Sequence, residues 1–292
     1  MAIPYEFGYV KPTSLQEAIE LKGKFQKEAR VLAGGTDLVN EIKKGFRVPE
    51  MIIDVKGISE LSKIEIVNGQ LLIGALVTFS DIRKSQVIID NMNILFEAAG
   101  MVASNGVRNR ATMIGNICSA VACMDSAAPL LVHEATVHTA SMDGKREVKI
   151  QNWFVDNRKT AILDNELVTH VSIPIPTVKY AGAYQKMMRY SGEDLSQANV
   201  GVLLFANGDC HVAFGSVGPT PKRSLKIENL LKSKGISVAT IEEAKEMIET
   251  VIAPITDVRA TKEYRMHMTK VMFERAMQTA MERIKMPKII TK

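Results

Sequence analysis

The sequence predicts an α+β fold on three observations. Asn-Gly or Asp-Gly separates apolar stretches at Asn68-Gly69, Asp143-Gly144 and Asn207-Gly208, and such dipeptides supply the positive φ angles of tight hairpins. Hairpins imply antiparallel sheet, unlike a doubly wound dinucleotide fold in which strand and helix alternate. Segments of helical period lie between the hairpins. Finally, a chain of 292 residues that is 46% hydrophobic can bury more than one core, so two or three domains are expected.

The elements follow in order. MAIPYEFGYVKP has no basic flank followed by an apolar core, so it does not read as a secretion signal; a cytoplasmic protein is expected. SLQEAIELKGKF opens at Ser14 with Glu17 three residues on, the pattern of a capping box, and sets Leu15, Ala18, Ile19 and Leu21 or Phe25 along one helical face. In RVLAGGTDLV, Val31 and Leu32 read as the end of a buried strand, and Leu38, Val39 and Ile42 as the start of a helix. MNILFEAAGMVAS and MDSAAPLLVHEA are apolar enough for buried helices. Pro174 and Pro176 stop a strand and open a linker. IEEAKEMIETVIA precedes a long helix in which Met266, Val271, Met272, Ala276 and Met277 recur with helical period, and the 16 methionines read as flexible core filler. KMPKIITK reads as a frayed basic tail. Boundaries near 55 and 176 divide the chain into 1–55, 56–176 and 177–292.

Composition excludes several classes. The longest apolar stretches, such as LLIGALVTF at 71–79, fall far short of the roughly 20 residues needed to cross a bilayer. Cys118, Cys123 and Cys210 are odd in number and lack CxxC spacing, which argues against a disulfide framework and against a metal or iron–sulfur site within this chain. A net charge of +5 and a pI near 9.0 would admit nucleic acid, but the basic residues are scattered and aromatics few; a phosphate-bearing ligand or an acidic partner fits equally well. His133, His138, His170, His211 and His267 lack a paired carboxylate and nucleophile, and no serine sits in a nucleophile elbow, so these histidines read as structural or exposed.

Two glycine loops carry the functional signal. Gly34 and Gly35 let the backbone bend between strand and helix, and a nest of N–H groups there favours an anion such as a diphosphate. The loop is neither a P-loop nor G-x-G-x-x-G, and on its own it is also consistent with an ordinary strand-to-helix turn. GVRNRATMIGNICSA, residues 106–120, leads through Thr112, Gly115 and Asn116 to Asp125, which is placed to open a helix and to accept a hydroxyl hydrogen bond; a plain helix-terminal carboxylate is the alternative. Together the loops suggest a dinucleotide gripped between two subdomains.

These residues resemble a known family. Leu32-Ala33-Gly34-Gly35-Thr36-Asp37-Leu38, then Arg108-Asn109 leading to Ala111-Thr112-Met113-Ile114-Gly115-Asn116 and Asp125, are similar to the FAD-binding medium subunit of the molybdenum hydroxylases, the xanthine dehydrogenase and carbon monoxide dehydrogenase flavoproteins. The likeness continues through Ala183-Tyr184-Gln185-Lys186-Met187-Met188-Arg189, Ser191-Gly192-Glu193-Asp194, Asp257-Val258-Arg259-Ala260 and Glu263-Tyr264-Arg265. It implies the vanillyl-alcohol-oxidase (PCMH-type) FAD fold of two subdomains, followed by a C-terminal α+β domain. It also implies that residues 32–38 wrap the FAD diphosphate, that Thr112, Ile114, Gly115 and Asn116 reach diphosphate and ribityl, and that Asp125 holds the polar chain. Lys186 falls near the flavin ring with Val168 and Thr169 beside it, and Val102 joins the cofactor-binding set. A cation at the flavin N1/O2 edge would stabilise reduced anionic flavin; without the resemblance, a solvated lysine is the plainer reading.

Two positions depart from the family. Its second loop carries adjacent glycines where Ile114-Gly115 stands here, and the aromatic beside the ring is replaced by the run Asp194-Leu195-Ser196. The resemblance further implies an electron-transfer subunit in a heterotrimer. A molybdopterin-binding large subunit would oxidise the substrate, expected to be a purine such as xanthine in the family's manner, a 2Fe-2S small subunit would relay electrons, and FAD here would pass them to NAD or a quinone. A cofactor-free scaffold and a stand-alone flavoprotein oxidase are the alternatives.

Overall fold

The computed structural model describes residues 3, 5–190 and 192–285. The tail after Lys285, and Ser191, lie outside the described residues.

The first 55 residues depart from the antiparallel expectation. Strands β1 (Gly8–Val10), β2 (Ala29–Leu32) and β3 (Met51–Asp54) form a parallel sheet in the order β1-β3-β2. The cause is local: helices α1 (Leu15–Phe25) and α2 (Leu38–Lys43) occupy the two connections, and a helical crossover returns the chain in the same direction. Ser14 caps α1 as its sequence predicts, accepting from the Glu17 N–H; the Glu17 carboxylate reaches one residue further back, to the Thr13 N–H. Strand β2 is only partly buried beyond Ala29, against the expectation of a buried end.

A five-stranded antiparallel sheet follows, built from β4 (Ile64–Val67), β5 (Gln70–Gly74), β6 (Thr136–Ser141), β7 (Gly144–Lys149) and β10 (Leu167–Pro174), ordered β4-β5-β10-β6-β7; the short pair β8 (Phe154–Asp156) and β9 (Lys159–Thr160) lies before β10. The turn between β4 and β5 has positive φ at both Asn68 (51°) and Gly69 (74°), as a two-residue hairpin requires. Between β5 and β6 run α3 (Phe79–Lys84), α4 (Gln86–Asn91), α5 (Asn93–Gly100), α6 (Asn105–Arg108), α7 (Met113–Ser119) and α8 (Ala127–Val132), whose residues are buried throughout.

The last sheet, antiparallel in the order β11-β12-β13-β14, comprises β11 (Tyr180–Met187), β12 (Ala198–Phe205), β13 (Cys210–Gly215) and β14 (Lys222–Arg223). Alternation along its strands separates two faces. Tyr180, Tyr184 and Leu203 enter the core shared with the preceding sheet, and Gly201 leaves room for Ala128. Ala183, Val200, Val202, Val212 and Phe214 face a second core. That core is closed by α9 (Leu225–Lys234), α10 (Val238–Met247) and α11 (Lys262–Lys285), the last burying Arg265, Thr269, Met272, Phe273, Ala276, Met277 and Ala280 at helical period.

Helix α5 seals the free edge of β11. Asn93 Nδ2 donates to the Gly182 carbonyl (3.0 Å), Glu97 Oε2 accepts from the Tyr184 N–H (3.0 Å), and the Met101 carbonyl accepts from Lys186 Nζ (2.8 Å). Every fourth residue along α5 and its C-cap Met101 thus meets every second residue on the strand, because four helical residues rise about 6.0 Å and two strand residues about 6.6 Å. Arg283 from α11 adds a strap, bonding Gly182 O and Glu97 Oε1. Among the described residues no helix is long and apolar enough to cross a membrane, and no cluster of His, Cys, Asp or Glu could hold a metal.

Candidate functional site

The two glycine loops touch through their backbones. A Cβ on Gly34 would lie 2.1 Å from the Arg110 carbonyl oxygen and 3.0 Å from Ala111 Cα. The sequence reading assigns this glycine to close approach of a ligand; in the structure the space beside it is taken by the second loop. Gly35 follows at φ +77°, a backbone that favours glycine. Among the described residues no hydrogen bond is donated by the N–H groups of Gly34, Gly35, Thr36 and Asp37. Four consecutive N–H groups are thus without a protein acceptor among the described residues, as an anion nest would need. Leu32 and Ala33 lead into it, and Leu38 opens α2, which runs only six residues.

The second loop is held from below. Phe79 N–H donates to Ala111 O (3.0 Å), Met113 N–H to Val77 O (3.3 Å), and Thr78 bridges Thr112. Thr112 Oγ1 caps α7 by accepting from the Gly115 N–H (3.0 Å); a Cβ on Gly115 would come within 2.8 Å of that hydroxyl. Ile114, the departure from the family pattern, is 3% exposed and sits in the apolar core. Its side chain leaves the open side of the loop to Gly115 and Asn116, whose Oδ1 accepts from Ser126 Oγ (2.6 Å). Val102 packs in the same core, and its carbonyl accepts from Arg108.

Asp125 and Lys186 are brought together. Asp125 lies before α8, and its oxygens turn away from the helix end: Oδ2 pairs with Lys186 Nζ at 2.8 Å and Oδ1 accepts from the Tyr184 hydroxyl at 2.7 Å. Burial pushes the Asp125 carboxyl up, opposed by the ammonium beside it. Burial, then the facing carboxylate, pushes Tyr184 well above the ordinary phenol range, so it stays protonated and donates. The Lys186 side chain is only 1% exposed, which excludes a solvated lysine.

Val168 and His170 flank an irregularity in the pairing of β10 with β6, and Thr169 is the residue between them that has no partner on β6. Thr169 Oγ1 bonds His138 O and the His170 ring, and its carbonyl accepts from Ala75 N–H. Among the described residues no hydrogen bond or ion pair joins Val168 or Thr169 to the glycine loops or to Asp125 and Lys186. Asp194 is buried, bonded by the Arg189 N–H and guanidinium, while Leu195 is 54% exposed. Further on, Asp257 ties Arg259 and the buried Arg265 together, anchoring that loop.

Sequence reasoning missed Tyr184, the Met101 carbonyl and the backbone at Arg110 and Ala111. Only the first had a signal: Tyr184 lies two residues before Lys186 on an alternating strand and so shares its face.

Comparison with known proteins gives the family. Residues 5–176 match the FAD binding domain in molybdopterin dehydrogenase, and 182–280 the CO dehydrogenase flavoprotein C-terminal domain. The carbon monoxide dehydrogenase medium chain of Afipia carboxidovorans is 28% identical over 97% of this chain and 99% of its own. A putative xanthine dehydrogenase FAD-binding subunit of Escherichia coli is 28% identical over 93% and 95%. The solved carbon monoxide dehydrogenase of Hydrogenophaga pseudoflava superposes with a TM-score of 0.92 at 29% identity, covering 97% of this chain and 99% of that one.

Proposed function

This chain belongs to the family of FAD-binding domains of molybdopterin dehydrogenases, and from that premise we propose that it is the electron-transfer medium subunit of a molybdenum hydroxylase. In this reading it takes electrons from a 2Fe-2S small subunit, which receives them from a molybdopterin-binding large subunit, and delivers them to an external acceptor such as NAD. Bound FAD supplies the exchange between one-electron and two-electron transfer; the chain binds, orients and tunes it.

The carrying observation is the nest of four free N–H groups on a loop seated against the second loop. The diphosphate suits Gly34 to Asp37, and Thr112, Gly115 and Asn116 line the continuation toward the ribityl chain. Asp125 and Lys186 supply a carboxylate and a cation, with Val102, Val168 and Thr169 completing the set. The proposed division into 1–55, 56–176 and 177–292 places the loops in the first two parts and Lys186 in the third. Burial of Ile114 favours FAD binding over a cofactor-free scaffold, since its side chain turns into the core. The oxidised substrate, whether a purine or another, is chosen by the large subunit.

The test is flavin content. The purified chain is expected to retain or take up close to one FAD. Gly34→Ala is expected to weaken FAD binding about 5- to 150-fold, since the methyl group must part the loops at an overpacking cost of about 1–3 kcal/mol, lost where the bound ligand needs them together. A folded chain that takes up no FAD would refute the function, and unimpaired binding by Gly34→Ala would refute this placement of the site.

A further inference from the structure

We propose that Tyr184 is a positioning residue for the flavin, acting through Asp125 on Lys186. The inference rests on the reading above that the ring lies against Lys186. An ammonium has three donors. Lys186 spends one on Met101 O and one on Asp125 Oδ2, so one N–H has no partner among the described residues, although the side chain is almost fully buried. Asp125 adjoins Ser126, which donates to Asn116 of the second loop, and a buried, unpaired donor there calls for an acceptor on the ligand; the electron-rich carbonyl edge of a flavin is such an acceptor.

Where that third donor points depends on Asp125. Its carboxylate would be free to rotate about its own bond if only Lys186 held it; the Tyr184 hydroxyl at 2.7 Å on the other oxygen fixes the plane. Tyr184 is itself immobile, being 2% exposed with its N–H bound by Glu97. The phenol also drains negative charge from the carboxylate, leaving more of the ammonium's field for the ligand. Removing the hydroxyl therefore frees the carboxylate plane, returns the full carboxylate charge to the ammonium and weakens the cation felt by the reduced ring.

The experiment is a potentiometric titration of the FAD-loaded chain across pH 6–9, with FAD content and melting temperature measured in parallel. Tyr184→Phe is expected to keep its FAD while binding the reduced form about tenfold more weakly relative to the oxidised form, a negative shift of about 30 mV for a two-electron couple. Lys186→Met is expected to shift at least as far in the same direction, and the double variant no further than Lys186→Met alone. Fluorotyrosine at 184, a stronger donor, is expected to shift the potential positively, and it decides the matter if Tyr184→Phe fails to load. A wild-type potential in Tyr184→Phe beside a shifted Lys186→Met overturns the role of Tyr184. No shift in either variant, with FAD bound, overturns the placement of the ring at Lys186.

Discussion

His133 shows how a single residue can carry a condition-dependent cost. It is 4% exposed, meets Tyr180 edge-on at 6.0 Å between ring centroids, and neither ring nitrogen has a hydrogen-bond partner among the described residues. Burial, with a smaller contribution from His211, pushes its pKa down from 6.5 to about 3. Between those values the unfolded chain binds a proton that the folded chain refuses, so stability falls as pH falls, by up to about 1.4 kcal/mol per pH unit. His133→Leu is expected to flatten that limb, read as chemical denaturation midpoints from pH 7 to 4; an unchanged slope would place the acid sensitivity elsewhere. Residue roles were legible only where they depend on near neighbours. The glycine loops announced themselves because nests and turns are local chemistry. The contact that demands glycine at position 34 was not legible, since its partner is the Arg110 carbonyl in the other loop, nor was the Tyr184–Asp125 bond, whose members lie 59 positions apart.

Elements are legible in the sequence where one turn or one period defines them. Asn68-Gly69 forms its hairpin because both residues take positive φ, and α11 buries the periodic face that its methionines mark. The N-terminal sheet was hidden because its strands are three or four residues long, too short for a period, and β1 pairs with residues 51–53. The covering of β11 by α5 was equally illegible, being a match between two unlike repeats. Glu97 is the rung with most to lose: it accepts from Tyr184 N–H and pairs with Arg283. Glu97→Ala is expected to cost about 1–3 kcal/mol by leaving a strand N–H without its acceptor, and to speed hydrogen exchange at the Tyr184 amide. Unchanged exchange there would show that the edge is sealed by other means.

Across the whole molecule, the C-terminal sheet lies between two cores, and one of its strands supplies the partners of Asp125. A ligand touching the glycine loops and Lys186 would therefore stabilise both parts together. FAD at 100 times its Kd is expected to stabilise the chain by about 2.7 kcal/mol, moving a single melting transition seen by flavin release and by near-ultraviolet circular dichroism alike. A C-terminal transition that stays put would show that the Asp125–Lys186 pair does not couple the parts. The ladder between α5 and β11 also works as a vernier. Its two scales differ by about 0.6 Å per step, and the third rung, between Met101 just past the helix and the long Lys186 side chain, takes up the difference. The correspondence pins the reach of Lys186 to the length of one helix. A residue inserted between Asn93 and Met101 would turn the later rungs about 100° around the axis, mis-setting the ammonium without altering any residue that touches it.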